Sequence, residues 1–213
     1  MTYKKFIIVE GKDDKDFFEN LLDNKDNNIK IEQFGGKTNI TTPDRFISHL
    51  KQAVSPRIKS EIDKLPNKLA YITPKLLIIC DADNSYRSTR IEIEEAIKKA
   101  KEEFVFEAKI FILPLNKNDD SGGDLESLIL EIIENSNDKN LLEIKKCAEH
   151  FNKCTKRERI TQTESKFILH SMLIALTKHD DRKYSATHIL TKNKWFFKTE
   201  QLTELKNSIE QLL

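Results

Sequence analysis

Short apolar runs alternate along the first two thirds of the chain with stretches in which apolar residues recur at helical spacing. The apolar runs predict β-strands at residues 5–10, 29–34, 75–81 and 109–115. Helical spacing predicts helices at residues 14–24, 43–54, 57–65, 88–104 and 124–134. Strands that alternate with helices in this order favour an α/β fold, with a parallel sheet of about four strands flanked by helices.

The pattern changes after residue 135, because no further strand-like run follows. Apolar residues at helical spacing predict helices at residues 140–153 and 163–178, and two shorter helices near the C-terminus. The polar run ENSNDKN at residues 134–140 is the best candidate for a linker. We therefore predict an α/β domain at residues 1–135 and a basic helical extension, packed on it, at residues 136–213.

Charge is distributed unevenly along the chain. The 213 residues are 38% hydrophobic and 33% charged with a net charge of +1, which is typical of a soluble globular protein. Residues 139–198 carry fourteen Lys and Arg against six Asp and Glu, a net charge of +8, whereas residues 1–138 carry a net charge of −5. This asymmetry indicates a polyanionic partner, although a solvated helical face is an open alternative.

The apolar runs are four to seven residues long, which is too short to span a membrane. The N-terminus has no signal-peptide pattern, so we expect a cytoplasmic protein that does not bind membranes. Among the three cysteines, Cys80 lies in an apolar run and is predicted to be a core residue. Cys147, His150 and Cys154 have helical spacing but no fourth ligand nearby, so zinc is not predicted there.

All five glycines follow predicted strands, at Gly11, Gly35–Gly36 and Gly122–Gly123. The carboxyl ends of parallel strands form the edge at which open α/β sheets bind ligands. Glycine allows a positive φ or a close approach of the backbone there, although ordinary turns are an alternative. The segment FGGKTNI is not a P-loop, because Ile31 occupies the position where that motif needs its first glycine.

Acidic residues crowd the same edge. Glu10 and Asp14 follow the first strand, Asp81 and Asp83 end the third, and Glu126 lies near the start of a later helix. If the backbone stays extended, Asp81 and Asp83 point to the same side. Carboxylates this close repel one another, and a divalent cation would remove the repulsion. An all-oxygen set without histidine suits Mg²⁺ or Mn²⁺ and not zinc.

Helix capping is the alternative explanation for several of these acids. Asp13 or Asp14 could cap the first helix, Asp83 or Asn84 the next, and Asp124 the third. Glu10 does not fit this explanation, because it ends a strand and does not begin a helix.

The motif VEGKDD after the first strand, followed by DAD after the third, resembles the Toprim domain. Topoisomerases, bacterial primases, small ribonucleases and overcoming-lysogenization-defect (OLD) nucleases share this domain. The resemblance covers residues 4–135 and is closest to the OLD nucleases and to small Toprim-like proteins of the DUF3226 type. It implies a Toprim or Rossmann-like parallel sheet, with Glu10 as the family's glutamate and Asp81 and Asp83 as its Asp-x-Asp pair.

The OLD-like branch implies three further residues. Its acidic residue four positions after the glutamate matches Asp14, and its Leu-Glu motif matches Leu125 and Glu126. Its active-site lysine, on a downstream helix, matches Lys166 in ESKFILHSMLIAL. The chain departs from full-length OLD proteins because it has no ATPase motif, so an ATPase would be either a separate chain or unnecessary.

The resemblance implies a nuclease that cleaves phosphodiester bonds with one or two Mg²⁺ or Mn²⁺ ions. Its metal ligands would be Glu10, Asp14, Asp81, Asp83 and Glu126. Glu10 would bind metal or act as general acid or base, and Lys166 would stabilise the charge of the transition state. The basic half would hold the backbone of DNA or RNA.

Several alternatives stay open at this point. The chain could be a catalytically idle metal-binding module that acts with a partner such as a separate ATPase. A receiver-like phosphoacceptor and a primase-type polymerase are further alternatives. The choice between endonuclease and exonuclease action, and whether the chain forms a homo-oligomer, are also open.

Overall fold

The computed structural model describes residues 5–22, 29–56, 73–113, 123–135, 138–154, 164–176 and 200–213. The strands are β1 (Lys5–Val9), β2 (Ile29–Gln33), β3 (Lys75–Asp81) and β4 (Glu107–Leu113). The helices are α1 (Lys12–Leu21), α2 (Lys37–Thr41), α3 (Pro43–His49), α4 (Tyr86–Ala100), α5 (Leu125–Asn135), α6 (Lys139–Cys154), α7 (Glu164–Leu176) and α8 (Glu200–Leu212). A π-helical turn, Leu50–Val54, continues α3.

The four strands form one parallel sheet in the order β2-β1-β3-β4. Lys5 pairs with Ile29 on one side of β1 and with Lys75 on the other, so all three strands begin at the same level. The predicted α/β fold with a parallel sheet flanked by helices is therefore confirmed. After β1 the chain adds β2 on one side of it, and after β2 it returns to add β3 on the other side. The strand order therefore reverses at β1, and the gap between the carboxyl ends of β1 and β3 is the switch point of the sheet.

Both faces of the sheet are buried, which explains why β1 is apolar after Lys5 and β3 is apolar between Lys75 and Asp81. Phe6, Ile8 and Ile78 lie in one hydrophobic cluster, which α2, α3 and α4 cover. Ile7 and Val9 of β1 and Leu77 and Ile79 of β3 lie in a second cluster with apolar residues of α1 and α5. The period of two along each strand thus divides its side chains between two separate cores.

The C-terminal helices share the second of these cores with the sheet. Met172 of α7 and Leu205 and Ile209 of α8 are nearly or fully buried in the same cluster as Ile7. The helical part of the chain therefore packs its apolar side chains against one face of the α/β part. The predicted boundary between residues 135 and 136 stays a prediction.

Differences from the predicted elements lie mainly at boundaries. β4 begins at Glu107, two residues before its predicted start, and its last described residue is Leu113. The short helix α2 was not predicted, because five residues are too few to show a helical period. The predicted helix at residues 57–65 and the glycine at position 122 lie outside the described residues. Cys80 is buried, as predicted. No helix within the described ranges is long and apolar enough to cross a membrane.

Candidate metal centre

The side chain of Glu10 joins the carboxyl ends of the two central strands. Its Oε1 atom accepts a hydrogen bond from the backbone amide of Asp81 at 2.9 Å and another from the thiol of Cys80 at 2.8 Å. Glu10 directly follows β1, whereas Cys80 and Asp81 end β3. The carboxyl group of Glu10 is therefore held at the switch point of the sheet.

Asp14 approaches this point from the first turn of α1. Gly11 occupies the N-cap position, and the backbone amide of Gly11 donates a hydrogen bond to Oδ2 of Asp14 at 2.7 Å. Neither Asp13 nor Asp14 is therefore the N-cap residue, and Asp14 instead accepts the capping-box hydrogen bond from the N-cap amide. Asp14 is the third residue of the helix and turns back towards the end of β1, where its charge acts on the carboxyl group of Glu10.

Asp81 and Asp83 do not share an extended backbone. β3 ends at Asp81, whose Oδ1 accepts a hydrogen bond from the amide of Leu125 at 3.1 Å. Asp83 has a φ of 51°, and its amide donates to the carbonyl of Gly123 at 2.8 Å. The extended backbone on which the expected common direction of the two carboxylates depended therefore ends at Asp81.

Lys37 is a central residue that the sequence did not single out. Its Nζ atom lies 2.8 Å from Oδ2 of Asp83 and 2.7 Å from Oγ1 of Thr89, and it donates to the carbonyls of Asp81 and Ala82 at 3.1 and 3.3 Å. One ammonium group thus holds the end of β3, the turn after it and the start of α4.

The glycine pair before Lys37 explains how the lysine reaches this position. Gly35 and Gly36 have φ angles of 77° and 120°, which glycine adopts far more readily than other residues. The amide of Gly36 donates to the carbonyl of Glu10 at 2.7 Å, so this turn packs beside the site. The Gly-Gly-Lys sequence after β2 was the signal available for Lys37.

Asp124 and Glu126 lie at the start of α5. Oδ1 of Asp124 accepts hydrogen bonds from the amide and the hydroxyl of Ser127 at 2.9 and 2.6 Å, which confirms the prediction that Asp124 caps this helix. At α4 the N-cap residue is Ser85, so the prediction that Asp83 or Asn84 caps it is wrong. Glu126 follows in the first turn of α5, with 17% of its side chain exposed.

Lys166 reaches the same site from the first turn of α7. Its Nζ atom lies 3.9 Å from Oε2 of Glu126. The residue that sequence resemblance selected among many lysines is therefore brought beside one of the predicted metal ligands.

Burial and mutual repulsion raise the pKa of four carboxyl groups at this edge. The pKa of Asp81 lies well above its usual range because of burial and the nearby charges of Asp14, Glu10 and Glu126. Burial also raises the pKa of Glu10 and Asp14, and it raises that of Glu126 to about 7. Because the charge of Asp81 interacts with all three of the others, the four groups form one electrostatic cluster, the carboxylate cluster.

Lys166 is the positive charge of this cluster. Burial is the largest single effect and lowers its pKa, but the nearby acidic charges, led by Glu126 and Asp81, together raise it overall. The Lys166 side chain therefore stays protonated at neutral pH and lowers the pKa of Glu126 below the value that burial alone would produce.

The donor set suits a hard cation, but its arrangement is not that of a ready metal site. Within the described ranges, no three His, Cys, Asp or Glu side chains are arranged to hold a metal ion, and this includes Cys147, His150 and Cys154. One oxygen each of Glu10, Asp14 and Asp81 accepts a backbone hydrogen bond, which fixes the position of the carboxyl group. A divalent cation bound to this all-oxygen set would offset its repulsion.

Comparison with known proteins identifies one family. The family model described as "Protein of unknown function (DUF3226)" matches residues 4–213. Comparison with curated proteins finds no match, and comparison with solved structures finds none either. The match extends over both the sheet and the C-terminal helices and carries no activity with it, so a function has to be argued from the site.

Proposed function

The chain belongs to the DUF3226 family. We propose that this protein is a Toprim-type nuclease that hydrolyses phosphodiester bonds in nucleic acid with Mg²⁺ or Mn²⁺. The observation that carries the proposal is the carboxylate cluster at the switch point, with Lys166 beside it. Burial raises the pKa of four acids from three separate segments there, and perturbed carboxyl groups of this kind cluster at functional sites.

Glu10, Asp14, Asp81 and Glu126 are the residues that would hold one or two ions. When bound, Mg²⁺ or Mn²⁺ polarises a phosphate oxygen and lowers the pKa of a coordinated water. Asp83 would be a fifth ligand only if its carboxylate left Lys37, from which it lies 2.8 Å. The Asp-x-Asp pair therefore contributes unequally on this proposal, with Asp81 as its principal member.

Two residues have roles beside metal binding. Glu10 is held at the end of β1 by the Asp81 amide, and burial raises its pKa, which suits a carboxyl group that accepts or donates a proton. Lys166 carries a positive charge on the same side, where it would stabilise negative charge that builds on the phosphoryl oxygens.

A lysine row on α6 is suited to the backbone of a nucleic acid. Lys139, Lys146 and Lys153 are exposed and lie seven residues apart, so they share one face of the helix. Phosphate contacts of this kind carry no sequence specificity and weaken as salt concentration rises. We therefore expect binding that is insensitive to sequence and steeply dependent on salt.

The proposal is tested with purified protein, single- and double-stranded DNA and RNA, and Mg²⁺ or Mn²⁺. We expect wild-type protein to cleave at least one of these substrates, and Asp81→Asn to reduce the rate by roughly a hundredfold or more. Glu131→Gln is the matched control, because Glu131 is an exposed glutamate on α5 and should cleave like wild type. Equal cleavage by wild type and Asp81→Asn would identify a contaminating nuclease and contradict the proposal.

The second candidate is a catalytically idle metal-binding module that acts with a partner such as a separate ATPase. The observation that favours it is the contact between Lys37 and Asp83, which engages one member of the Asp-x-Asp pair. Metal binding followed by thermal unfolding, on the samples used for cleavage, separates the two candidates. Stabilisation by Mn²⁺ without cleavage of any substrate would favour the idle module.

A further inference from the structure

We propose that the contact between Asp124 and Ser165 positions Lys166 against Glu126, an inference that rests on the proposed nuclease function. Neither Asp124 nor Ser165 belongs to the carboxylate cluster. Asp124 caps α5 and Ser165 lies in the first turn of α7, so their contact joins the N-terminal ends of two helices.

The contact is partly buried and close. Asp124 is 4% exposed, and the hydroxyl of Ser165 lies 2.9 Å from Oδ1 and 2.9 Å from Oδ2. A serine hydroxyl has only one proton to donate. Because the hydroxyl oxygen is equally far from both carboxylate oxygens, the two oxygens share this proton. A hydrogen bond to a charged acceptor is stronger than one between neutral groups, which suits it to fixing two helices relative to each other.

The sequence places the reacting groups next to this contact on both helices. Lys166 directly follows Ser165, and Glu126 comes two residues after Asp124. The Lys166 side chain is long and 40% exposed, so packing constrains it weakly, and the position of its backbone decides whether Nζ stays 3.9 Å from Glu126. Ser165 is therefore a positioning residue that acts through Lys166.

A second contact holds the same end of α7 to a different helix and provides a matched control. The side-chain amide of Asn152 on α6 donates to Oε1 of Glu164 at 2.8 Å. Loss of this contact loosens the start of α7 from α6, whereas loss of the Ser165 contact loosens it from α5. Only the second change should move Lys166 away from Glu126.

The test uses a water-soluble carbodiimide, which condenses an amine with a carboxylate that it touches, and peptide mass spectrometry to measure the Lys166–Glu126 cross-link in the full chain. We expect Ser165→Ala to lower the yield roughly fivefold. Ser165→Thr keeps the hydroxyl and should restore the yield, and Asn152→Ala should leave it near the wild-type value. An unchanged yield in Ser165→Ala, or an equal loss in Asn152→Ala, would overturn the proposal.

A variant on the other helix keeps the test decisive if Ser165→Ala does not fold. Asp124→Ser retains a good N-cap residue for α5 but is too short to reach Ser165. We expect Asp124→Ser to lower the cross-link yield as Ser165→Ala does, while thermal unfolding shows a folded protein. A folded Asp124→Ser protein with a wild-type yield would overturn the proposal.

Cleavage kinetics provide the readout that a merely structural residue would not change. Ser165→Ala should lower kcat in a background that has Lys166, and should have no further effect in the Lys166→Met background. Independent losses in the two backgrounds would contradict positioning through Lys166. Absence of cleavage by wild type would contradict the nuclease proposal, whereas the cross-link result would still decide whether Ser165 positions Lys166.

Discussion

The backbone amide of Asp81 donates a hydrogen bond to Oε1 of Glu10 at 2.9 Å, so the end of β3 fixes the side chain that follows β1. This bond needs an oxygen acceptor but not a negative charge. Glutamine offers the same acceptor at the same distance from the backbone. Substitution of Glu10 by glutamine therefore separates its structural role from its chemical role.

We expect Glu10→Gln to fold with a stability equal to or greater than that of wild type in the absence of metal, because it removes a charge that burial disfavours. Cleavage should fall by about 10²- to 10⁴-fold, the range for loss of a general acid or base. Urea unfolding at pH 8 and initial cleavage rates measure the two effects. Glu19→Gln on α1 is the control, and full activity in Glu10→Gln would remove Glu10 from the mechanism.

The raised pKa of Glu126 predicts how stability depends on pH. Its pKa is about 7 in the folded protein and has an ordinary value of 4.5, so the folded state binds the proton more tightly. The contribution of this group to the free energy of unfolding should then be highest below pH 4.5 and fall as pH rises towards 7, with a total loss of at most about 3 to 4 kcal/mol.

Urea unfolding in EDTA between pH 5 and pH 8 checks this dependence. Glu126→Gln should be less sensitive to pH than wild type, and some dependence of the same sign should persist because the pKa of Asp81 is also raised. Glu131→Gln, which changes an exposed residue of the same helix, should keep the wild-type slope. A wild-type slope in Glu126→Gln would show that this carboxyl group does not titrate as described.

Added Mn²⁺ or Mg²⁺ should raise the melting temperature at pH 8 more than at pH 5.5, because protons compete with the cation for the same carboxylates. An ion present at a hundred times its Kd stabilises the folded state by about 2.7 kcal/mol. Differential scanning fluorimetry with and without EDTA measures the shift. Asp81→Asn should lose most of it, and equal shifts in wild type and Asp81→Asn would place the ion elsewhere.

Lys37→Met should destabilise the fold by about 2 kcal/mol or more, because the partly buried carbonyl of Asp81 and the hydroxyl of Thr89 lose a charged donor. The carboxylate of Asp83 loses its positive partner in the same variant. Chemical denaturation measures the loss. Lys12→Met, at an exposed lysine of α1, is the control, and a similar small loss in both variants would contradict the role given to Lys37.

Ile209→Ala tests whether α8 belongs to the core of the sheet. Ile209 is fully buried in the cluster that contains Ile7, so its truncation should cost about 2 to 5 kcal/mol. Ile91→Ala removes the same atoms from a residue that is 50% exposed and should cost much less. Equal losses would show that the C-terminal helix does not stabilise the α/β part.

The sheet could be predicted because its strands are apolar on both faces. FIIV in β1 and LLIIC in β3 cannot be placed at a surface, and their alternation with helical periods leaves a parallel sheet as the natural arrangement. The helix α2 escaped prediction for the opposite reason. It has five residues and one buried side chain, Ile40, which is too little pattern to recognise.

The carboxylate cluster could be predicted only as far as strand ends define it. Glu10 directly follows β1, and Asp81 is the last residue of the neighbouring strand β3, so their proximity follows from the parallel sheet. Asp83 could not be placed in this way, because its φ of 51° and its pairing with Lys37 depend on contacts with Gly123 and with the turn after β2.

The sequence by itself determined the parallel α/β fold and the edge at which the acids gather, since both follow from local periodicity and from where polar residues interrupt apolar strands. Only the tertiary structure decided that Lys37 pairs with Asp83, that Ser165 forms a hydrogen bond with Asp124, and that Lys166 lies beside Glu126. Each of these pairs joins residues at least 40 positions apart in the chain. Their contacts depend on how the helices pack, which no local pattern of residues encodes.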